Sequence, residues 1–164
     1  MAQSKSELEE WYSKPDPWGY ELTADDVKRK WRILGQLRGK KFKRALDIGA
    51  GEGFITKDLP ADEIHAIEIS DTAAERIPKN IIRVSEPGGL YDLIIATGVL
   101  YQQYDWQTMT AWILSHANGV VITSHIASWE INQLPKEKLV YETEFPYREY
   151  TQHLCVYNFN ETTP

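Results

Sequence analysis

The run Leu46-Asp47-Ile48-Gly49-Ala50-Gly51-Glu52-Gly53 ends an apolar stretch with an acidic side chain two positions ahead of three alternating glycines. Gly49, Gly51 and Gly53 lack a Cβ, so the main chain there can take angles closed to other residues and a bound molecule can lie directly against it. The segment after Gly53 reads as the start of a helix, whose first N–H groups would face the same crevice. Such a turn suits a ligand with a positive group, because Asp47 attracts an ammonium and repels a pyrophosphate. Glu68 follows the apolar run Ile64-His65-Ala66-Ile67. It lies about 20 residues beyond the turn, a spacing at which a carboxylate can accept hydrogen bonds from both hydroxyls of a ribose.

The glycine run resembles the first motif of class I, Rossmann-like methyltransferases that use S-adenosylmethionine, and Glu68 stands where such a fold places its ribose acceptor. A nicotinamide or flavin nucleotide fold is the rival, with the fingerprint Gly-x-Gly-x-x-Gly. This chain has Gly-x-Gly-x-Gly instead. The resemblance extends to Tyr91-Asp92-Leu93-Ile94 and Thr97-Gly98-Val99-Leu100-Tyr101, which are similar to the family's fourth motif, a strand ending in a loop that holds the methionine part and borders the acceptor. Asp92, at the start of that strand, is expected to be structural. Ser85-Glu86 stands where the family commonly places a residue near the adenine amino group, although the usual Gly-Asp is absent. Asp16-Pro17-Trp18, followed by Lys28-Arg29-Lys30-Trp31, looks like the nodulation protein S group of small N-methyltransferases. That resemblance implies that Trp18 covers the cofactor and that Arg29 or Lys30 lies near its carboxylate; alternatively, Trp18 packs an arm onto the core.

The family thus implies S-adenosyl-L-methionine as cofactor, contacted by Trp18, Arg29, Asp47, Gly49, Ala50, Gly51, Glu68, Ile69, Ser85, Glu86, Thr97, Gly98 and Val99. Methyl transfer then asks mainly for positioning, since the cofactor carries the activation. An amine acceptor must be neutral, and a base or hydroxyl beside it helps to remove its proton. Tyr101 and His125 are the catalytic candidates, with Tyr147, Arg148 and Tyr150 of a late turn beside them. His125 reads also as a hydrogen-bonded loop residue.

These residues need a scaffold that delivers strand ends to one side. Apolar strands at 45–48, 64–69, 81–84, 93–97 and 120–124 alternate with helices at 54–59, from Asp71 and at 105–115, the signature of a parallel sheet covered on both faces. Segments 139–145 and 154–159 have no room for a crossover helix and should pair as an antiparallel hairpin. The expected fold is α/β: a doubly wound, mostly parallel seven-stranded sheet with a C-terminal antiparallel hairpin and helices on both faces. Ahead of it, Thr23 with Asp25 and Asp26 predicts a helix start. Val27, Trp31, Leu34 and Leu37 then recur at helical spacing up to Gly39. Residues 1–24, rich in aromatics and proline, read as a lid, and 25–164 as one Rossmann-like domain.

A length of 164 residues fits one domain with a real core. A net charge of -6 argues against a nucleic-acid partner. Cys155 is the only cysteine, which rules out an internal disulfide, and His65, His116, His125 and His153 lack ligand spacing, so no metal is expected. No signal peptide or bilayer-length apolar run is read, and a cytoplasmic place with no membrane partner is expected. The expected function is transfer of a methyl group to a nitrogen or oxygen of a small molecule. The alternative is a non-catalytic S-adenosylmethionine-binding or protein-interaction module on the same fold. Acceptor identity and oligomeric state are not encoded legibly.

Overall fold

The computed structural model describes residues 3–160. Seven strands form one sheet: β1 (Phe42–Ile48), β2 (Ala61–Ile67), β3 (Ile82–Arg83), β4 (Tyr91–Thr97), β5 (Ala117–Ile126), β6 (Leu139–Tyr147) and β7 (Tyr150–Asn158). Their order is β3-β2-β1-β4-β5-β7-β6. The first five run parallel, and β7 inserts antiparallel between β5 and β6. The order reverses at β1 and β4, and at such a switch point the loops leaving the carboxyl ends diverge and open a crevice. Asp47 and Thr97 sit at that opening.

Both faces of the sheet are buried, which is why its central strands read as continuous apolar runs. On one face Ala45, Leu93, Ile95 and Ile122 pack with Ile33 of α2 (Ala24–Gly35) and Ala74 of α3 (Asp71–Glu75). On the other, Leu46, Ile94 and Val121 pack with Ile113 of α4 (Trp106–His116). Full burial of one such aliphatic side chain contributes about 1.5–3 kcal/mol. Ahead of the sheet lies α1 (Lys5–Trp11), closed by a capping box in which Ser4 and Glu7 satisfy each other's backbone N–H groups. Leu8 and Tyr12 pack from there onto Ala73 of α3, with Trp18 beside them.

Three sequence expectations need correction. The helix expected over 54–59 is a single 3-10 turn at Thr56–Asp58. Pro60 disfavours helical angles at Leu59, which is extended at φ -67, ψ 132, and β2 begins at once. Thr23 does begin α2, but its side chain makes no cap hydrogen bond. The buried face of α2 is shifted from the apolar stripe: Asp26, Arg29, Lys30 and Ile33 face inward, while Trp31 is 61% exposed. No helix among the described residues is long and apolar enough to cross a membrane.

Candidate functional site

A cavity of about 1260 Å³ opens at the carboxyl ends of the parallel strands. Its floor is the glycine turn. Gly49, Gly51 and Gly53 all have positive φ (75, 57 and 88), and a Cβ on Gly49 would lie 2.3 Å from Val99 Cγ1. That close approach, added to the left-handed backbone, is the local reason for glycine there.

Asp47 lies beneath the turn, 3% exposed. Its Oδ2 accepts from Thr56 Oγ1 at 2.5 Å, and its Oδ1 has no partner. Burial outweighs the Thr56 hydrogen bond and pushes the carboxyl up to about 7. Glu68, just past β2, accepts from Gly51 N at 2.7 Å and from Ser70 N at 2.9 Å. It thereby ties the glycine turn to the start of α3, where Ser70 is the cap. A carboxylate offers about four acceptor sites, so capacity remains for a ligand beside these contacts. Burial raises its pKa, against the pull of those two N–H groups and that of Ile69.

Arg29 also lines the cavity, 5% exposed, with its guanidinium 5.4 Å from the Tyr20 ring centre and 5.6 Å from that of Tyr147. Its Nε lies 3.7 Å from Asp26 Oδ1, beyond hydrogen-bond reach, and is without a partner. Asp26 is engaged elsewhere, accepting from the Tyr147 hydroxyl at 2.6 Å and from Arg148 Nη2 at 2.6 Å. Two residues that line one cavity, Asp47 and Arg29, thus each keep a buried polar atom without a protein partner, a carboxylate oxygen and a guanidinium nitrogen.

No protein-family model matches the chain, and no curated protein matches it in sequence. Solved structures do. The N-methyltransferase NodS from Bradyrhizobium japonicum WM9, in complex with S-adenosyl-l-homocysteine, superposes with a TM-score of 0.78 at 18% identity, over 94% of this chain and 97% of that one. Magnesium protoporphyrin IX methyltransferase from Synechocystis PCC 6803, with bound SAM, gives 0.69 at 12% identity, over 96% and 98%. The plantazolicin methyltransferase BpumL, in complex with a desmethylPZN analog and SAH, gives 0.60 at 12% identity, over 96% of each chain. The chain has the class I methyltransferase fold.

Within this methyltransferase fold, Trp18, Arg29, Asp47, Gly49, Ala50, Gly51, Glu68, Ile69, Ser85, Thr97, Gly98, Val99 and Tyr101 all line the one cavity. Glu86 does not, so the expectation for Ser85-Glu86 narrows to Ser85. Lys30, the alternative to Arg29, turns away to pair with Asp58. Asp92 accepts from Lys43 N and Arg44 N at the far end of the sheet, a structural role.

His125 is the clearest correction. It is 0% exposed and outside the cavity lining, and its Nε2 accepts from Leu100 N at 3.0 Å. Burial depresses its pKa to about 3, so it stays neutral and holds the loop that follows β4. Tyr101 keeps its place on the wall. Its hydroxyl accepts from Ile126 N at 2.8 Å, and burial pushes the phenol up to about 12, which makes it a donor and not a base near neutrality.

Aromatic rings that the motifs did not announce complete the wall. Trp129 packs 4.8 Å from Tyr150 and 6.0 Å from Tyr101, with Tyr104 6.4 Å from Tyr101 on its other side. Tyr12 donates nothing to the turn but stands over Gly51, 3.1 Å from where a Cβ would be, and accepts from Trp18 Nε1 at 3.3 Å. Their only sequence signal is aromatic richness in residues 11–20 and in the loops after β4 and β5.

Proposed function

We propose that the chain is an S-adenosylmethionine-dependent methyltransferase acting on a nitrogen or oxygen of a small molecule. The observation that carries this reading is that two residues lining one cavity, Asp47 and Arg29, each hold a buried atom without a protein partner, Asp47 Oδ1 and Arg29 Nε. The amino-acid end of the cofactor is a zwitterion; Asp47 would hold its ammonium and Arg29 its carboxylate. Glu68 would accept the ribose hydroxyls with its spare lone pairs, and the Gly49–Gly51 turn admits the ligand to backbone contact. Bound there, the cofactor supplies a methyl group already activated by its sulfonium.

The chain's own contribution is then placement and exclusion of water. Tyr101, with its oxygen occupied by Ile126 N, has its proton available to orient an acceptor heteroatom. Trp129, Tyr104, Tyr147 and Tyr150 give the acceptor side an aromatic wall. The volume supports a site shared by two molecules, since pockets for one drug-sized ligand run about 300–1,000 Å³. The lid read over residues 1–24 would act through Tyr12, Trp18 and Tyr20, which line the cavity.

Calorimetry with S-adenosylmethionine and S-adenosylhomocysteine tests the cofactor: saturable binding of both is expected, and no heat at millimolar ligand would sink the reading. Formation of S-adenosylhomocysteine over a panel of amines and phenols separates an enzyme from a non-catalytic binding module.

A further inference from the structure

Away from the cavity, on the face of the sheet that carries Val121, the hairpin brings together side chains that the proposed methyl transfer does not use. Cys155 and His153 alternate along β7 on that face, and the register sets Glu142 of β6 opposite Cys155. His153 Nε2 lies 3.1 Å from Glu142 Oε2 and 3.2 Å from Cys155 Sγ, and the three atoms all fall within 4.8 Å of one another. The other ring nitrogen, Nδ1, meets Glu130 Oε1 at 2.5 Å.

With both ring nitrogens protonated, His153 donates from Nδ1 to Glu130 and from Nε2 to Glu142, and Cys155 Sγ stands beside the same Nε2 as a third potential ligand atom. Neither Glu130 nor Glu142 pairs with a lysine or arginine among the described residues, so two carboxylates share one imidazole. Farther in, His125 Nδ1 is fully buried without a partner and points at Glu130 Oε2, itself unpartnered, across 3.6 Å. Because His125 Nε2 accepts from Leu100 N, its proton is on Nδ1 and directed into the cluster. A nucleophilic role for the thiol fails on access: Cys155 is 1% exposed, and burial pushes its thiol up to about 11.

We propose that Cys155 Sγ, His153 Nε2 and Glu142 Oε2 form a binding site for a zinc-type divalent cation. Sulfur, imidazole and carboxylate together select a borderline-soft metal over magnesium or calcium. In a four-coordinate site with bonds of about 2.0–2.3 Å, neighbouring ligand atoms stand a little over 3 Å apart. The separations at Nε2 are already at that scale. On binding, the aquated cation exchanges waters for the three ligands, the Sγ proton and the Nε2 proton of a doubly protonated His153 pass to solvent while Nδ1 keeps its own, and one water stays in the fourth position. Glu130 then accepts from His153 Nδ1 and fixes the ring, the carboxylate–histidine–metal relay that sets ligand orientation, with His125 behind it. The opening lies on the Glu142 side, whose side chain is 58% exposed. Glu130 also pairs its backbone with Tyr101, so a loaded site braces the loop that carries Trp129 into the cavity wall.

Chelator-treated full chain titrated with Co(II) tests this without cofactor or activity. One equivalent is expected to bind, with a thiolate-to-cobalt band in the near ultraviolet, and Zn(II) should displace it. Glu142→Gln, exposed enough to leave the fold intact, should weaken Co(II) affinity about ten-fold or more, and Cys155→Ser should abolish the band. Absence of the band at millimolar Co(II), or a band that survives both Glu142→Gln and His153→Asn unchanged, overturns the site.

Discussion

The Tyr147 hydroxyl donates to Asp26 Oδ1 at 2.6 Å, joining residues 121 apart in sequence, the tip of the β6–β7 hairpin to the first turn of α2. Arg148 strengthens the same joint, from its backbone N to Asp25 and from its guanidinium to Asp26. Arg148 carries φ 50, a strained angle for a side chain this large, held by those contacts. Tyr147→Phe removes the donor while keeping the ring, and leaves a buried carboxylate oxygen with Arg29 Nε only at 3.7 Å. It should cost about 1–3 kcal/mol in urea unfolding. A stability equal to that of the unmodified chain would mean the joint carries no load.

Asp47 sets a pH dependence whose sign is fixed by its direction of shift. The folded carboxyl titrates at about 7 against 3.8 for the free group, so the folded state binds more protons between those values. Stability from this residue is therefore present at low pH and declines as pH rises through that window. Asp47→Asn, which can still accept from Thr56, should be more stable than the original chain at pH 8 by on the order of 2 kcal/mol, with the gap closing near pH 4. The same variant should bind S-adenosylmethionine more weakly. Melting curves at the two pH values and one binding isotherm check both signs.

How much of this was legible in sequence depends on how far away each residue's partners lie. Asp47, the glycines and Glu68 are local signals: strand ends, a turn without Cβ atoms, an acid at fixed spacing. The inward face of α2 is not. Its apolar spacing pointed to Val27 and Trp31, yet Asp26 and Arg29 are the buried pair, because Tyr147 and Arg148 arrive from elsewhere in the chain to pair with Asp26 and the Tyr20 and Tyr147 rings flank Arg29. His125 failed for a related reason. Its place just after a strand suggested access, whereas the β5–β7 register and the Leu100 N–H enclose it. Cys155, His153 and Glu142 show no ligand spacing along the chain and meet only through pairing across the hairpin.

Gly49→Ala tests the floor of the cavity. The added Cβ would overlap Val99 Cγ1 at 2.3 Å and would sit on a backbone with φ 75. Overpacking and the left-handed angle each cost about 1–3 kcal/mol. Val99→Ala in the same chain should recover the steric part and not the backbone part. Full recovery of stability would show that the angle is unstrained.

Glu68→Gln keeps shape and loses one acceptor oxygen and the charge. Either Gly51 N or Ser70 N then lacks its partner. S-adenosylhomocysteine affinity should fall about 10–100-fold, the scale of a lost charge-assisted hydrogen bond. An affinity within two-fold of the original, with "two-fold" taken as about 0.4 kcal/mol, would place the ribose elsewhere.

Arg148 Nη2 also donates to the Trp18 carbonyl at 2.8 Å, across 130 residues. The cavity wall is therefore closed by a contact that cannot form until the β6–β7 hairpin exists. During synthesis the glycine turn and Glu68 leave the ribosome long before that contact is possible, and loop closure over such a distance slows folding. An emerging chain therefore cannot have the enclosed form of the site until its last strand pair is made.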